Sequence, residues 1–313
     1  MKISVVIPSY NSAKYIAECL DSVLNQSYAD IEIICVDDCS SDQTYLILES
    51  YRQKHPSITL FRNEKNLGAP YSRNRGLDSS RGNYILFLDA DDVLLPGRIG
   101  HQVSLIRNSS RKIGFISGAY IRKHSNGEEE KKIPLSDSWQ GLLSAELGCT
   151  CSNLFLAEAL KQVNGWKDGL QGSQESELMF RLLQNGAEVL TDPLPLTRIR
   201  SSRQGSISSS NLSNYWINYI NLRVDIVDYL VGVGLFTGSL REHSLRAVFD
   251  ATRILYHYNK EQAVAYHNQL IRGKYFPGIS VPATGVYIFF YRLLGFAAAE
   301  QLSKYFRFLK LRH

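Results

Sequence analysis

The turn Asp89-Ala90-Asp91-Asp92 sets three carboxylates side by side, between the apolar run Tyr84-Ile85-Leu86-Phe87-Leu88 and Leu94-Leu95-Pro96. A buried strand ending on clustered carboxylates offers the oxygen-rich surface that a hard divalent cation, Mg²⁺ or Mn²⁺, requires. With no cation the charges repel one another and raise at least one pKa. A solvated acidic turn is the alternative for the triplet taken alone. A second polar stretch, Asp37-Asp38-Cys39-Ser40-Ser41-Asp42-Gln43-Thr44, follows another apolar run. A carboxylate there can accept from a base edge or a ribose hydroxyl, whereas Asp42 and Thr44 can equally cap a following helix. Tyr10, beyond the run Ile3 to Ile7, can stack on a planar base. None of the seven histidines has the spacing of a metal pair or lies near the acidic motifs.

The elements that must carry these residues alternate along the first hundred positions. Ile3 to Ile7 is a strand closed by Pro8-Ser9-Tyr10-Asn11. Ser12 is placed to cap a helix whose apolar positions Tyr15, Ile16, Cys19, Leu20, Val23 and Leu24 keep helical spacing. Strands follow at Ile31 to Val36, Ile58 to Phe61 and Tyr84 to Leu88, with helices at Gln43 to Lys54 and from Asn66-Leu67-Gly68-Ala69-Pro70 to Ser79. Such alternation implies a parallel sheet covered on both faces, with ligands beyond the carboxyl ends of its strands. Pro8-Ser9-Tyr10, Asp37-Asp38 and Asp89-Ala90-Asp91 all sit at such ends.

Further on, Ile113 to Ile121 and Ser152 to Leu156 read as strands, Ser138 to Glu146 as a helix, and Lys123 to Lys132 as a charged hairpin or loop. A helix is expected from Glu175 to Gln184, and Val189 to Ile199 is extended around Pro193 and Pro195. The serine-rich Ser201 to Ser213 is the expected linker, dividing residues 1–210 from a helical region at 211–313. Within that region Gly285 to Ala299 is mostly apolar. It is short for a bilayer span and is left as a buried helix, an in-plane interfacial helix flanked by Lys304, Arg307, Lys310 and Arg312, or a span.

Composition excludes wholesale disorder, with 44% hydrophobic and 21% charged residues among 313. Charge is uneven. From residue 211 onward twelve Lys and Arg face six Asp and Glu, against 23 and 24 before it. A near-neutral body with a basic, aromatic tail suits an anionic surface or partner. The five cysteines lack a disulfide-scaffold spacing and read as reduced thiols of a cytosolic protein, Cys149-Thr150-Cys151 being too short for a zinc pair. The N-terminus reads as a first strand rather than a signal peptide.

Four segments in order and spacing resemble the family 2 glycosyltransferases: Val5 to Asn11, Val36 to Thr44, Asn66-Leu67-Gly68 with Ser72-Arg73-Asn74-Arg75-Gly76, and Leu88 to Asp92. The resemblance spans about residues 1–210. It implies an α/β fold, a Rossmann-like nucleotide-diphospho-sugar transferase domain of glycosyltransferase A type with a mixed central sheet, plus a C-terminal helical extension. By that resemblance Pro8, Tyr10 and Asp38 frame the nucleotide base, Arg73 lies near base or diphosphate, Asp89 faces the nucleotide-sugar, and Asp91, assisted by Asp92, ligates Mn²⁺ or Mg²⁺. The family's usual Glu-Asp before a helix corresponds to Gln174-Glu175, which puts the general base on Glu175, with a helix N-terminal charge as its alternative. Glu177, two residues on, is expected to hold the fold. Arg203 stands where many relatives carry a histidine and is expected to contact phosphate rather than metal.

The implied activity is inverting transfer from a nucleotide-diphosphate donor, UDP-linked by analogy, to a saccharide or lipid-linked saccharide acceptor in surface polysaccharide assembly. The setting is the cytoplasmic membrane face, with peripheral contact through the tail and no nucleic-acid partner. A nucleotidyltransferase is the alternative, although its usual Gly-rich, cation-bearing loop is missing from Pro8-Ser9-Tyr10-Asn11. A non-catalytic glycosyltransferase-like subunit is the third reading, kept alive by Gln174 and Arg203. A dinucleotide dehydrogenase is disfavoured because no G-x-G-x-x-G follows the first strand.

Overall fold

A computed structural model describes residues 1–170, 172–200, 212–278 and 284–310, and side chains as far as Ser303. The chain forms two compact units: residues 1–170 with 174–204, and residues 171–173 with 205–313. Arg203, residues 201–211 of the serine-rich stretch, and the side chains of Lys304, Arg307, Lys310 and Arg312 lie outside the described residues.

In the first unit a seven-stranded sheet runs in the order β10-β6-β9-β4-β1-β2-β3. Its members are β1 Ile3–Ser9, β2 Ile31–Asp37, β3 Ile58–Arg62, β4 Tyr84–Phe87, β6 Ile113–Gly118, β9 Leu154–Leu156 and β10 Glu188–Asp192. Every residue of β1 is buried, as an apolar strand covered on both faces must be. The pairs β1–β2, β2–β3, β1–β4 and β6–β10 are parallel, whereas β9 runs antiparallel between β4 and β6. The sheet is therefore mixed, and the reversal at β9 has a geometric result. The residues just before β9 enter at the edge where β4 and β6 finish.

Helices α1 Ile16–Leu24, α2 Thr44–Lys54, α3 Ala69–Ser79, α4 Arg98–Asn108, α5 Ser138–Ser144, α6 Ala157–Gln162 and α7 Gln174–Gln184 accompany the strands. On α1, Ile16, Cys19, Leu20 and Val23 are buried, which is the stripe that the apolar spacing implies. Its start differs from expectation. Ser12 donates its hydroxyl to the Tyr10 carbonyl at 2.9 Å and leaves α1 without a side-chain cap.

The continuous strand expected over 113–121 is divided. Gly118 ends β6, and Tyr120–Lys123 forms β7 in a second sheet, ordered β5-β11-β7-β8 with β5 Val93–Leu94, β8 Glu129–Lys132 and β11 Thr197–Arg200. A Cβ on Gly118 would lie 2.2 Å from the Ser152 carbonyl oxygen, so only glycine lets the chain pass at this point. The charged segment before residue 132 is indeed a hairpin, Tyr120 pairing with Lys132 and Lys123 with Glu129.

The second unit is helical, with α8 Leu212–Gly232, α9 Gly238–Leu255, α10 Lys260–Tyr266, a π turn His267–Ile271, α11 Gly285–Leu294 and α12 Phe296–Lys310. Its core gathers Ile220, Phe249, Leu255, Ile271, Tyr287 and Ala299. The apolar run from Gly285 is broken at Gly295, whose φ of +80° ends α11. No helix among the described residues is long and apolar enough to cross a membrane.

Candidate active site

Two rim loops are laced together by their own hydrogen bonds. Asp42 accepts from the Thr44 amide at 2.9 Å and the Ala13 amide at 3.1 Å, while Thr44 Oγ1 accepts from the Ser12 amide at 2.7 Å. The expected capping is met only in part: α2 has Gln43 at its N-cap with no side-chain cap bond, Asp42 reaches the Thr44 amide from one residue earlier, and Thr44 ties the loop to Ser12 instead of capping. Asn11, at φ +46°, accepts from the Ser41 amide through Oδ1 at 2.9 Å. Tyr10, held by this lacing, keeps 44% of its surface exposed at the rim. Pro8 is buried within β1, in register with Val36.

Asp38 is buried, and its carboxylate is largely occupied by the protein. It accepts from Asn63 Nδ2 at 2.7 Å, the Leu67 amide at 2.9 Å and the Gly68 amide at 2.8 Å. The same Asn63 amide reaches Ser72 Oγ at 3.0 Å, on α3 beside Arg73. Asp38 therefore fixes the loop from β3 to α3, and any contact with a base comes from a carboxylate that is already oriented.

Around the acidic turn the geometry tightens. Arg73 is buried and donates to Asp89 Oδ1 at 2.7 Å and to Gln174 Oε1 at 3.2 Å, with its guanidinium 4.6 Å over the Trp166 ring. Burial pushes the Arg73 pKa down, but the neighbouring acidic groups, Asp89 foremost, together outweigh it and the value is raised. Gln174, which stands where the family usually has an acid, thus serves as a neutral acceptor for Arg73. Glu175, in the first turn of α7, accepts from Thr150 Oγ1 at 2.8 Å. Glu177 pairs with Arg181 at 2.7 Å, and Arg181 also donates to the carbonyls of Val163 and Gly165, which fits the structural role expected of Glu177.

Asp92 is buried and accepts from the Arg200 amide at 3.0 Å and from the Cys151 thiol. Burial, then repulsion from Asp89 and Asp91, hold its pKa well above the usual carboxylate range. Ligating atoms of Asp89, Asp92 and Cys151 lie within 4.8 Å of one another, the one such cluster among the described residues. Asp91 is half-buried and stands outside this trio. Cys151 is the weakest ligand of the three. Burial raises its thiol pKa well above 9.0, so the proton stays on sulfur, and its Sγ accepts from the Asp89 amide at 3.3 Å. The oxygen donors, with their accumulated negative charge, fit a hard divalent cation, and the thiol serves as their hydrogen-bonding neighbour.

Segment 149–153 is the part of the site that sequence reasoning missed. Thr150 and Cys151 reach the rim because β9 is reversed: Tyr84 pairs with Leu156 and Ile85 with Phe155, and continuing that register brings Cys151 to Asp89. Arg98, buried on α4, braces the segment by donating to the carbonyls of Cys151 at 3.3 Å, Ser152 at 2.8 Å and Asn153 at 3.3 Å. Its burial lowers its pKa to about 10. Polar and thiol residues packed ahead of the strand Leu154–Leu156 were the available signal, and strand direction was needed to interpret it. The structure joins Arg73, Asp89, Asp92 and Glu175 through Gln174, Thr150 and Cys151. It places Asp38 and Tyr10 on neighbouring loops of the same rim.

Comparison with known proteins supplies a context for this geometry. Residues 4–151 match the family model described as "Glycosyl transferase family 2". An uncharacterized glycosyltransferase of Rickettsia bellii is 31% identical over 227 residues, covering 67% of this chain and 31% of that protein. The poly(ribitol-phosphate) beta-N-acetylglucosaminyltransferase TarS of Staphylococcus aureus is 43% identical over 97 residues, covering 30% of this chain and 17% of that protein. The crystal structure of S. aureus TarS 1-349 in complex with UDP-GlcNAc has a similar fold, with a TM-score of 0.59 at 20% identity, covering 90% of this chain and 95% of that one. The mannosyltransferase PcManGT from Pyrobaculum calidifontis in complex with GDP-Man and Mn²⁺ gives a TM-score of 0.59 at 16% identity, over 97% and 83% of the respective chains. The chain spans about a third or less of the length of the first curated relatives it matches.

Proposed function

The chain belongs, through residues 4–151, to glycosyltransferase family 2, and from that premise we propose that its rim transfers a sugar from a nucleotide-diphosphate donor, UDP-linked, to a saccharide or lipid-linked saccharide acceptor in surface polysaccharide assembly. The observation that carries the proposal is the convergence of a buried cation, Arg73, with Asp89, Asp92 and Glu175 at the carboxyl edge of β4. Tyr10 and the loop fixed by Asp38 receive the nucleotide, and Asp89 orients Arg73 toward the diphosphate. Arg203, on the expected phosphate side, is proposed as a further phosphate contact.

Asp91 and Asp92 are the proposed holders of Mn²⁺ or Mg²⁺, since Asp89 is engaged by Arg73. When bound, such a cation neutralises the charge that gathers on the departing diphosphate. The chain's own residues perform the remaining work. Glu175 accepts the proton of the acceptor hydroxyl as its oxygen bonds to the anomeric carbon. The bond from that carbon to the phosphate oxygen breaks with its electron pair on the diphosphate, which inverts the centre. Arg73, already charged and oriented, stabilises that developing charge without reorganisation.

A screen of nucleotide-sugars for thermal stabilisation, with and without Mn²⁺, followed by release of the nucleotide diphosphate, tests the reading. Stabilisation by a UDP-sugar that depends on Mn²⁺ is expected and should vanish in Asp91→Ala. Glu175→Gln should keep that stabilisation and lower kcat by roughly 10²–10⁴-fold. Transfer at the parental rate by Glu175→Gln would move the base elsewhere. Donor binding without any turnover by the parent would instead mark a binding subunit.

A further inference from the structure

Helix α11, GVYIFFYRLL, is apolar nearly all the way round, with Arg292 as its sole charged residue. One side is accounted for, since Tyr287, Ile288 and Tyr291 are buried in the core of the helical unit. The opposite side is not. Val286, Phe289, Leu293 and Leu294 keep 62%, 60%, 66% and 51% of their surface exposed. Spacings of three, four and one residues place these four on one face. Phe276 is 51% exposed and lies under Arg292, whose guanidinium is 4.7 Å over its ring.

Solvated helix faces are polar, and an apolar helix is ordinarily buried or in contact with lipid. Beside α11 opens a cavity of about 650 Å³ whose lining includes Arg272, Lys274, Phe276, Arg292 and Leu294. From Ile271 to Ala299 the sequence holds these three cations and not one Asp or Glu.

We propose that this face of α11, with Phe276 and the cations beside it, docks in the plane of an anionic phospholipid surface. The apolar side chains enter the headgroup and acyl boundary, and headgroup phosphates meet Arg272, Lys274 and Arg292. The helix is too short to cross the bilayer, so it lies along it. Pairing with a second copy of the chain is disfavoured by charge, because a two-fold contact would set the same three cations against themselves. The inference names a partner for the proposed glycosyltransferase but stands on the surface of the helical unit alone.

The test is co-sedimentation of the full chain with vesicles of phosphatidylcholine alone, or of phosphatidylcholine and phosphatidylglycerol in equal parts. Binding is expected only with phosphatidylglycerol, with release as salt rises from ~0.05 to ~0.5 M. The double variant F289S/L293S should weaken binding by ~10-fold or more without lowering the unfolding midpoint, because both side chains are exposed. Arg272→Glu should weaken it by about 5-fold or more. Three outcomes overturn the proposal: equal binding to both vesicle types, no binding to either, or a dimer in light scattering that F289S/L293S turns into monomer. Should the double variant misfold, lipid preference and Arg272→Glu still decide. Sugar transfer to a soluble acceptor reads the catalytic proposal separately, since loss of turnover with intact vesicle binding bears on Glu175 and Arg73 only.

Discussion

The Thr150 hydroxyl donates to Glu175 Oε2 at 2.8 Å, which leaves the other carboxylate oxygen to meet an acceptor. A base that must lie within hydrogen-bond reach of one particular hydroxyl benefits from losing its rotamer freedom beforehand. Thr150 is thus a positioning residue in the proposed mechanism. Thr150→Val, which keeps the shape and deletes the donor, should lower kcat by about 10-fold while KM for the donor sugar stays unchanged. Thr150→Ser should restore most of the rate, and steady-state kinetics on the three proteins separates positioning from a packing defect. Asp89, Asp91, Asp92 and Asp38 were legible as candidates because carboxylates after apolar runs are conspicuous, whereas Glu175 was legible only through the family resemblance. Thr150 was not, since a lone threonine carries no signal until its partner 25 residues away is known. Gln174 was legible as a departure, but its use as acceptor for Arg73 depends on a contact between residues 101 apart in sequence.

At the level of elements, the strands β1, β2 and β4 were readable because burial in the middle of the sheet favours mostly apolar runs. The break at Gly118 was not, because Ile113 to Ile121 reads as one β-rich stretch and the Ser152 carbonyl that crowds Gly118 is visible only in three dimensions. The second sheet was missed for a related reason: β5 has only two residues, and β11 pairs with distant β7. Gly118→Ala provides a direct check. The added methyl cannot avoid a backbone oxygen, so β6 or the segment braced by Arg98 must shift. We expect a loss of about 1–3 kcal/mol and a midpoint lowered by ~5 °C in thermal unfolding. Donor-dependent turnover should fall as well, because Ser152 belongs to the segment that carries Thr150 and Cys151.

Taken whole, the molecule divides its chemistry as its charge is divided. The sheet-bearing unit holds the acidic site, and the helical unit contributes the excess of basic residues. The latter also contains a group with a defined pH response. His267 is stacked on Phe296 at 4.4 Å, and its Nε2 lies 2.9 Å from the Tyr291 hydroxyl. Burial lowers its pKa below 6.5; hydrogen bonding to Asn268 works against this, and the nearby Arg272 charge adds to it. The folded state therefore favours the neutral ring. Its contribution to stability is fully present above the unfolded value and is lost as pH falls through 6.5 toward the lower folded value. Unfolding midpoints measured between about pH 7.5 and about pH 5.5 should decline, and His267→Phe should flatten that part of the profile.

The reversed strand β9 also bears on how the sheet and its rim are completed. Without Leu154–Leu156 between them, β4 and β6 would have no neighbour on their facing edges, and the sheet would divide into two parts with open backbone. Closing that gap requires pairing across a long stretch of chain, a slow kind of event. The same insertion brings Thr150 and Cys151 to Glu175 and Asp89. The closed sheet and the proposed site therefore share one structural requirement, the seating of β9, since without it the sheet is open and Thr150 and Cys151 are parted from Glu175 and Asp89.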